Sequence, residues 1–418
     1  NSIMIIGIVL YILVYEIKLF FVDGTLFQPL TNLYKLFFPF ILLFYAGFNP
    51  KLIFRKKTTL YYLLVYSILI VYLIVLNIIT SGFNFGFIEA LRQIPRYIFL
   101  IGLVQFFLRD NSLSEKIIKI VVIYSLFVTI MHFILLINPT IKHITLLGMP
   151  YAGPFGILGN INARFYIPSL DFPIYRLTGW FNEPSNASAF LLASYFLGRS
   201  VQHKMPKSIF WKFGPTICLI GGLITFSNAG YVGIGFSFIV MTFLNRKYLK
   251  HDSSSFKNII IIFVAMSVIM IGLFGRYYSA KVGIDSGIFS VITGNKTTYL
   301  NDPYYDASGG RINLMNSTIE VISNNPLGIG FINTAENVPA GAPLLWLFFS
   351  GIPGLIIILA RESIIIFSVK KRYLNKELIY QYCALLTVIC QQSVYGQWNN
   401  AFYYFLVSNI LVKISVRK

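Results

Sequence analysis

The chain reads as a succession of apolar stretches separated by short polar and basic segments. Apolar runs fall at 3–22, 34–49, 59–80, 87–108, 117–137, 184–199, 209–226, 229–244, 258–275, 342–368, 377–395 and 398–414. Most approach the twenty or so residues a helix needs to cross a hydrocarbon core of about 30 Å. Backbone groups at that depth find no water, so such runs are helical. The pattern predicts an all-α polytopic membrane protein with about 12 transmembrane helices, forming one integral-membrane domain over 1–418. No basic flank and cleavage site precede the first run, which is expected to remain as an uncleaved helix.

Charge orients this arrangement. The formal net charge is +19, large enough to raise the question of nucleic acid. Yet the basic residues gather in alternate loops: Lys51 to Lys57, Arg109 to Lys119, Arg199 to Lys212, Arg246 to Lys257, Lys370 to Lys376, and the tail from Lys413. The positive-inside rule makes these loops cytoplasmic, and an even number of spans puts both termini there. No nucleic-acid partner is expected. Two long segments, 138–183 and 276–341, then lie on the outer face; both are rich in Gly, Pro, Asn and Asp and are expected to carry short amphipathic helices. Cys218, Cys383 and Cys390 sit inside apolar runs, where cysteine is a small packing residue. Their number and spacing suggest neither a disulfide framework nor a metal site.

Three stretches could carry chemistry. In "RLTGWFNEPSNASAF", Pro184 suits the first turn of a helix, Asn182 or Glu183 can cap it, and Arg176 stands just upstream. A helix N-terminus beside an arginine is a ready anion site; ordinary capping at a water boundary, with Arg176 solvated, explains the same residues. In "FIEALRQIPRYIFL", Glu89, Arg92 and Arg96 are spaced to share one helical face. Charges at membrane depth are functional candidates by default, although an internal Glu89–Arg92 pair is the plainer account. Pro95 either kinks this helix or marks its start. In "SGGRINLMNSTIEVISNNPLGIGF", Arg311 follows two glycines, and an amphipathic segment leads to Glu320 and the turn at Asn325 to Gly328. Arginine is suited to bidentate capture of phosphate oxygens, while a surface helix with solvated charges would look the same. His132 and His143 read as packed or capping residues rather than bases. Gly230, Gly233 and Gly235 follow no strand pattern and read as points of close helix contact rather than a nucleotide loop.

Taken together, these stretches resemble one family: the integral-membrane polymerases and ligases that assemble O-antigen, capsule and exopolysaccharide from polyprenyl-linked oligosaccharides. The first stretch is similar to the family's Arg-x-x-Gly-x-Phe-x-(Glu/His/Asn)-Pro motif. The third is similar to its Ser-Gly-Arg, short helix and Asn-Pro-Leu-x-Gly-x-Gly signature. The resemblance implies an enzyme of the bacterial inner membrane, active on the outer face. It would cleave a sugar–diphosphate–polyprenyl bond and transfer the glycan to a hydroxyl, and a chain-length regulator protein would be among its partners. It places Arg176 and Arg311 on the substrate diphosphate, to which helical geometry adds Arg92 and Arg96. Glu183 is the candidate base, with Glu320 and Glu336 behind it, and no metal or cofactor is called for. The ligases of this superfamily carry a His-(Asn/Ser/Gln) pair, nine residues, then Gly-x-x-Gly. Gly351 and Gly354 supply the glycines here, but Ala340 and Gly341 stand at the pair's positions, which favours a polymerase over a ligase. A lipid-oligosaccharide flippase is the reading from another class; its charges would be expected between two related halves.

Overall fold

The computed structural model describes residues 2–16, 27–54, 56–137, 163–167, 172–175, 181, 184–225, 227–248, 319–331, 342–369, 375–394 and 400–416. The helices are α1 (Ser2–Glu16), α2 (Phe27–Ala46), α3 (Pro50–Phe54), α4 (Lys57–Ser81), α5 (Phe85–Leu91), α6 (Gln93–Arg109) and α7 (Ser112–Ile137), then α8 (Pro184–Gln202), α9 (Ile209–Leu223), α10 (Asn228–Tyr248), α11 (Ala342–Ser368), α12 (Lys376–Val394) and α13 (Ala401–Val416). Each apolar run contains described helix except 258–275, which lies outside the described residues, as do 17–22 of the first run and 398–399 of the last. Among the described residues, four segments are long and apolar enough to cross a membrane: Lys57–Ser81, Phe85–Arg109, Ser112–Phe133 and Pro343–Ser368.

One departure from an all-helical chain lies in the segment 138–183. Strands β1 (Ala163–Ile167) and β2 (Phe172–Tyr175) pair antiparallel, with Phe165 opposite Ile174 and Ile167 opposite Phe172. Aromatic and β-branched residues favour this pleated pairing over the amphipathic helix expected there.

The elements end where local chemistry stops them. Gly82 closes α4 at φ 67°, its N–H reaching the Ile78 carbonyl. The Ser208 side chain accepts from Trp211 N at the start of α9. Pro39 inside α2 leaves the Lys35 carbonyl without its helical donor; Tyr11 of α1 supplies one at 3.2 Å.

Two helices form the centre. Helix α13 is buried over nearly all its length, and α8 is buried from Ser185 through Leu197 on every face but that of Asn186. A helix covered all round reads as apolar or small on all faces, which explains the alanines and serines of α8. Small residues let backbones approach closely: a Cβ on Gly230 would fall 1.8 Å from Ser188 Oγ, and one on Gly233 would fall 2.6 Å from the Thr387 carbonyl. Those two glycines therefore do what their spacing suggests. The three cysteines are free, with Cys218 and Cys383 fully buried. His132 is likewise buried within α7. Large apolar side chains such as Phe44, Ile79 and Phe367 remain exposed around the outside, as hydrocarbon contact requires.

At one end of the bundle, Lys204 after α8 pairs with Glu115 of α7 at 2.7 Å and Glu377 of α12 at 3.0 Å, and Lys413 of α13 also pairs with Glu377. Burial lowers the Lys204 ammonium, but its hydrogen bonds to both carboxylates outweigh this and hold its pKa above the ordinary lysine value. Its stabilising effect is accordingly complete below the ordinary lysine range and fades as pH rises through the elevated pKa. Lys204→Met is expected to cost about 1 kcal/mol after solvent screening. Thermal unfolding in detergent at neutral pH and above the lysine range should show the difference shrinking at the alkaline end.

Candidate functional site

Helix α11 is broken in its first half. Gly351 takes φ 62° and ψ −167°, and Pro353 has no N–H, so the carbonyls of the preceding turn lose their helical donors. In apolar surroundings each would be costly to leave open. The segment 325–331, reached from a helical turn at 319–324, answers them. Ile329 N donates to the Phe348 carbonyl at 3.4 Å and Gly330 N to that of Phe349 at 2.9 Å; in return Ile352 N donates to the Pro326 carbonyl at 3.0 Å. The Tyr72 hydroxyl of α4 lies 2.8 Å from the Leu327 carbonyl and 2.9 Å from that of Ser350, so one proton serves both turn and helix.

This seating explains the glycines of the "NPLGIGF" stretch. Gly328 lies where a Cβ would come within 2.5 Å of Gly351 N, and a Cβ on Gly351 would come within 2.3 Å of the Pro326 carbonyl oxygen. Both also hold positive φ, which L side chains rarely adopt. Gly351 and Gly354 thus have a structural task here, Gly354 permitting close approach of Ser350 and Tyr72.

The same turn joins two of the sequence stretches. Asn77, fully buried in α4, donates to the Leu73 carbonyl and accepts from Phe331 N at 2.7 Å. A Cβ on Gly86 of α5 would meet the Phe331 carbonyl oxygen at 2.4 Å. The end of the turn therefore rests on the first turn of α5, three residues before Glu89. Glu89 and Arg92 form an ion pair, so the plainer account of those two residues is realised. Arg92 is exposed at the α5–α6 junction, whereas Arg96 is half-buried. Pro95 falls in the first turn of α6, marking its start rather than a kink. Glu320 is exposed on the turn at 319–324.

Arg176, Glu183, Arg311 and Glu336 lie outside the described residues. Next to the first two, Phe181 is buried against Phe190 of α8, with ring centroids 5.3 Å apart, and Phe190 meets Phe402 of α13 at 4.7 Å with the rings tilted. Phe181 thus packs on α8, one of the two central helices, and Pro184 opens that helix as its position suggests.

A further constellation lies away from the three sequence stretches. Arg361 and Glu362 of α11 are buried to within a few per cent. Arg361 Nε and Nη2 donate to Glu362 Oε1 at 2.8 and 2.6 Å, and the guanidinium lies 4.9 Å from the Tyr66 ring centroid and 5.7 Å from that of Tyr403. The other carboxylate oxygen of Glu362 accepts from Tyr403, whose hydroxyl also meets Tyr62 at 3.0 Å. Tyr66 stacks on Tyr404, hydroxyl to hydroxyl, and meets Tyr97 of α6 edge-on. The signal was available in "LARESI", two adjacent charges inside an apolar run.

No known family and no curated protein matches this chain.

Two expectations follow. Gly351→Ala should unseat the 325–331 segment, seen as faster proteolysis within it and a lower unfolding temperature. Arg361→Met leaves Glu362 buried without its cation and should cost about 3–5 kcal/mol. Replacing both partners by apolar residues should recover most of that loss in the same denaturation assay.

Proposed function

We propose that the chain is a polysaccharide polymerase of the polyprenyl-diphosphate-dependent type, with about twelve spans, both termini cytoplasmic, and residues 138–183 and 276–341 facing the outside of a bacterial inner membrane. The observation that carries the reading is the seating of the Asn-Pro-Leu-Gly-Ile-Gly turn in the broken α11. It anchors the segment 325–331, downstream of Arg311, to α4 and to the start of α5, the helix that leads to Arg92 and Arg96.

In this reading, a hydroxyl on the terminal sugar of one lipid-linked repeat unit attacks the anomeric carbon of another chain. The new glycosidic C–O bond forms as the bond from that carbon to the diphosphate breaks, and the polyprenyl diphosphate departs with the electron pair. Arg176 and Arg311, supported by Arg92 and Arg96, hold the growing charge on the leaving group. Glu183 takes the hydroxyl proton, with Glu336 and Glu320 as the other carboxylates available for that step. The chemistry needs no metal if arginines supply the positive charge. Absence of the ligase histidine, with Ala340 and Gly341 at the pair's positions, sets this reading ahead of a ligase, which would deliver glycan to a non-polyprenyl acceptor.

A second reading has its own support: discontinuous helices are a recurring feature of transporters, and α11 is discontinuous. Incubating the purified protein with a polyprenyl-diphosphate repeat unit, without nucleotide or added metal, separates the two. A ladder at repeat-unit spacing is expected, falling by about 100-fold or more in Arg311→Ala if that donor acts on the transition state. Intact lipid crossing vesicles with no ladder would replace the polymerase by a flippase.

A further inference from the structure

Helices α7 and α9 run in the same direction and touch through small residues. A Cβ on Gly221 would fall 2.2 Å from Thr129 Oγ1, and one on Gly214 would lie 3.3 Å from Leu126. Helix α8 closes one side of this contact: Ser125 of α7 donates to Ser194 at 2.7 Å, and Leu192 lies against Gly222 of α9. The other side is open. There α7 presents Ile120, Ile123, Phe127 and Ile130, and α9 presents Phe210, Phe213 and Ile217, all exposed and each set recurring at helical spacing.

Each apolar stripe starts from a cation. Lys116 is exposed one turn before Ile120 on the same face of α7, and Lys207 is exposed just before α9 begins. The pairings of Thr129 with Gly221 and of Leu126 with Gly214 bring Lys207 level with the turn of α7 that carries Lys116. Carboxylates at this end of the bundle are engaged elsewhere: Glu115 with Lys119 and Lys204, Glu377 with Lys204 and Lys413. Asp110, within electrostatic reach of Lys116, accepts from Ser112 N at 2.9 Å. Among the described residues, neither Lys116 nor Lys207 forms an ion pair.

Lys116 shares its face with side chains that seek hydrocarbon, so its ammonium snorkels to the layer where lipid phosphates lie. The apolar stretch from Ile120 to Ile130 is about 15 Å long at a rise of about 1.5 Å per residue. That is half of a hydrocarbon core of roughly 30 Å, the depth of one leaflet. A zwitterionic headgroup would bring a further cation to two lysines that lack a carboxylate, whereas an anionic phosphodiester brings the charge they need.

We infer that Lys116 and Lys207 hold the headgroup of an anionic phospholipid whose acyl chains lie along the open side of the α7–α9 contact. Such a site needs only a membrane-spanning chain, not glycosyl transfer. In the topology proposed above it belongs to the cytoplasmic leaflet.

The test is titration of the purified full-length protein in detergent with phosphatidylglycerol, bound lipid being counted by native mass spectrometry. Phosphatidylcholine and glycerol 3-phosphate serve as parallel arms, and both should bind more weakly. Each basic residue near a membrane surface strengthens anionic-lipid binding severalfold, so Lys116→Gln combined with Lys207→Gln should weaken phosphatidylglycerol binding about tenfold or more. The same pair should leave phosphatidylcholine unchanged, and Lys116→Arg with Lys207→Arg should keep most of the affinity. Lys57 is exposed at the start of α4, at the same end of the bundle, where its neighbour Lys56 bonds the Ser415 carbonyl; Lys57→Gln should have no effect. Cooperative thermal unfolding confirms that the variants are folded. If the double Gln variant unfolds non-cooperatively, the two single variants carry the test. Unchanged phosphatidylglycerol affinity in the folded variants overturns the site. A loss in Lys57→Gln as large as in the double variant replaces it by a diffuse effect of charge. Phosphatidylcholine binding equally well overturns the anionic assignment, and glycerol 3-phosphate binding as tightly overturns the lipid assignment.

Discussion

A guanidinium can be buried among apolar helices only if its charge and its donors are answered on the spot. Arg361 meets that condition through Glu362 on its own helix and through tyrosine rings from α4 and α13. The consequence reaches well beyond one ion pair. Tyr62 and Tyr66 fix α4, Tyr403 and Tyr404 fix α13, and Tyr97 brings in α6. Sliding any of these helices by a turn would strip a partner from a buried charge. Apolar packing tolerates such slips far better, because one methyl group replaces another at small cost. The polar node therefore sets the register of the bundle, while the surrounding leucines, isoleucines and phenylalanines supply most of the favourable burial.

The same rule, applied to the backbone, explains the break in α11. A proline and a positive-φ glycine in an apolar helix release carbonyls that water would normally satisfy. Here Ile329 N, Gly330 N and the Tyr72 hydroxyl take them up. The turn and the break are thus halves of one device, and neither is stable in apolar surroundings without the other. Interruptions of this kind are tolerated at membrane depth only where protein covers them.

The sequence made some of this plain and hid the rest for identifiable reasons. Apolar runs located the helices because hydrophobicity over about twenty residues is a strong, local signal. Pro184 at the start of α8 and the close contacts at Gly230 and Gly233 were also readable, since each depends on one residue's shape. Pairing was not. Nothing local in "NPLGIGF" says that Gly328 faces Gly351, more than twenty residues on, or that Asn77 will accept from Phe331. The hairpin of β1 and β2 was hidden because a short aromatic run is ambiguous between helix and strand. Arg361 and Glu362 were visible but unexplained, for their meaning lies in tyrosines some forty residues onward and about three hundred residues back.

The two polar devices share the same pair of helices. Helix α4 contributes Tyr62 and Tyr66 to the cage around Arg361, and Tyr72 and Asn77 to the seat of the turn; α11 contributes the charge pair and the break. Their pairing is fixed at Ser350 and again at Arg361, so the helical stretch between is clamped at both ends against α4. A site that must stabilise developing charge cannot rely on solvent to reorganise around it, and its donors have to be in place beforehand. Clamping the stretch that carries the turn gives that rigidity to whatever the turn positions. It also accounts for spending two buried charges in a part of the chain where apolar residues would have packed as well. Leucines at those positions would bury equal area but would leave the bonds of Tyr72 and Asn77 as the polar hold of the break and its turn on α4.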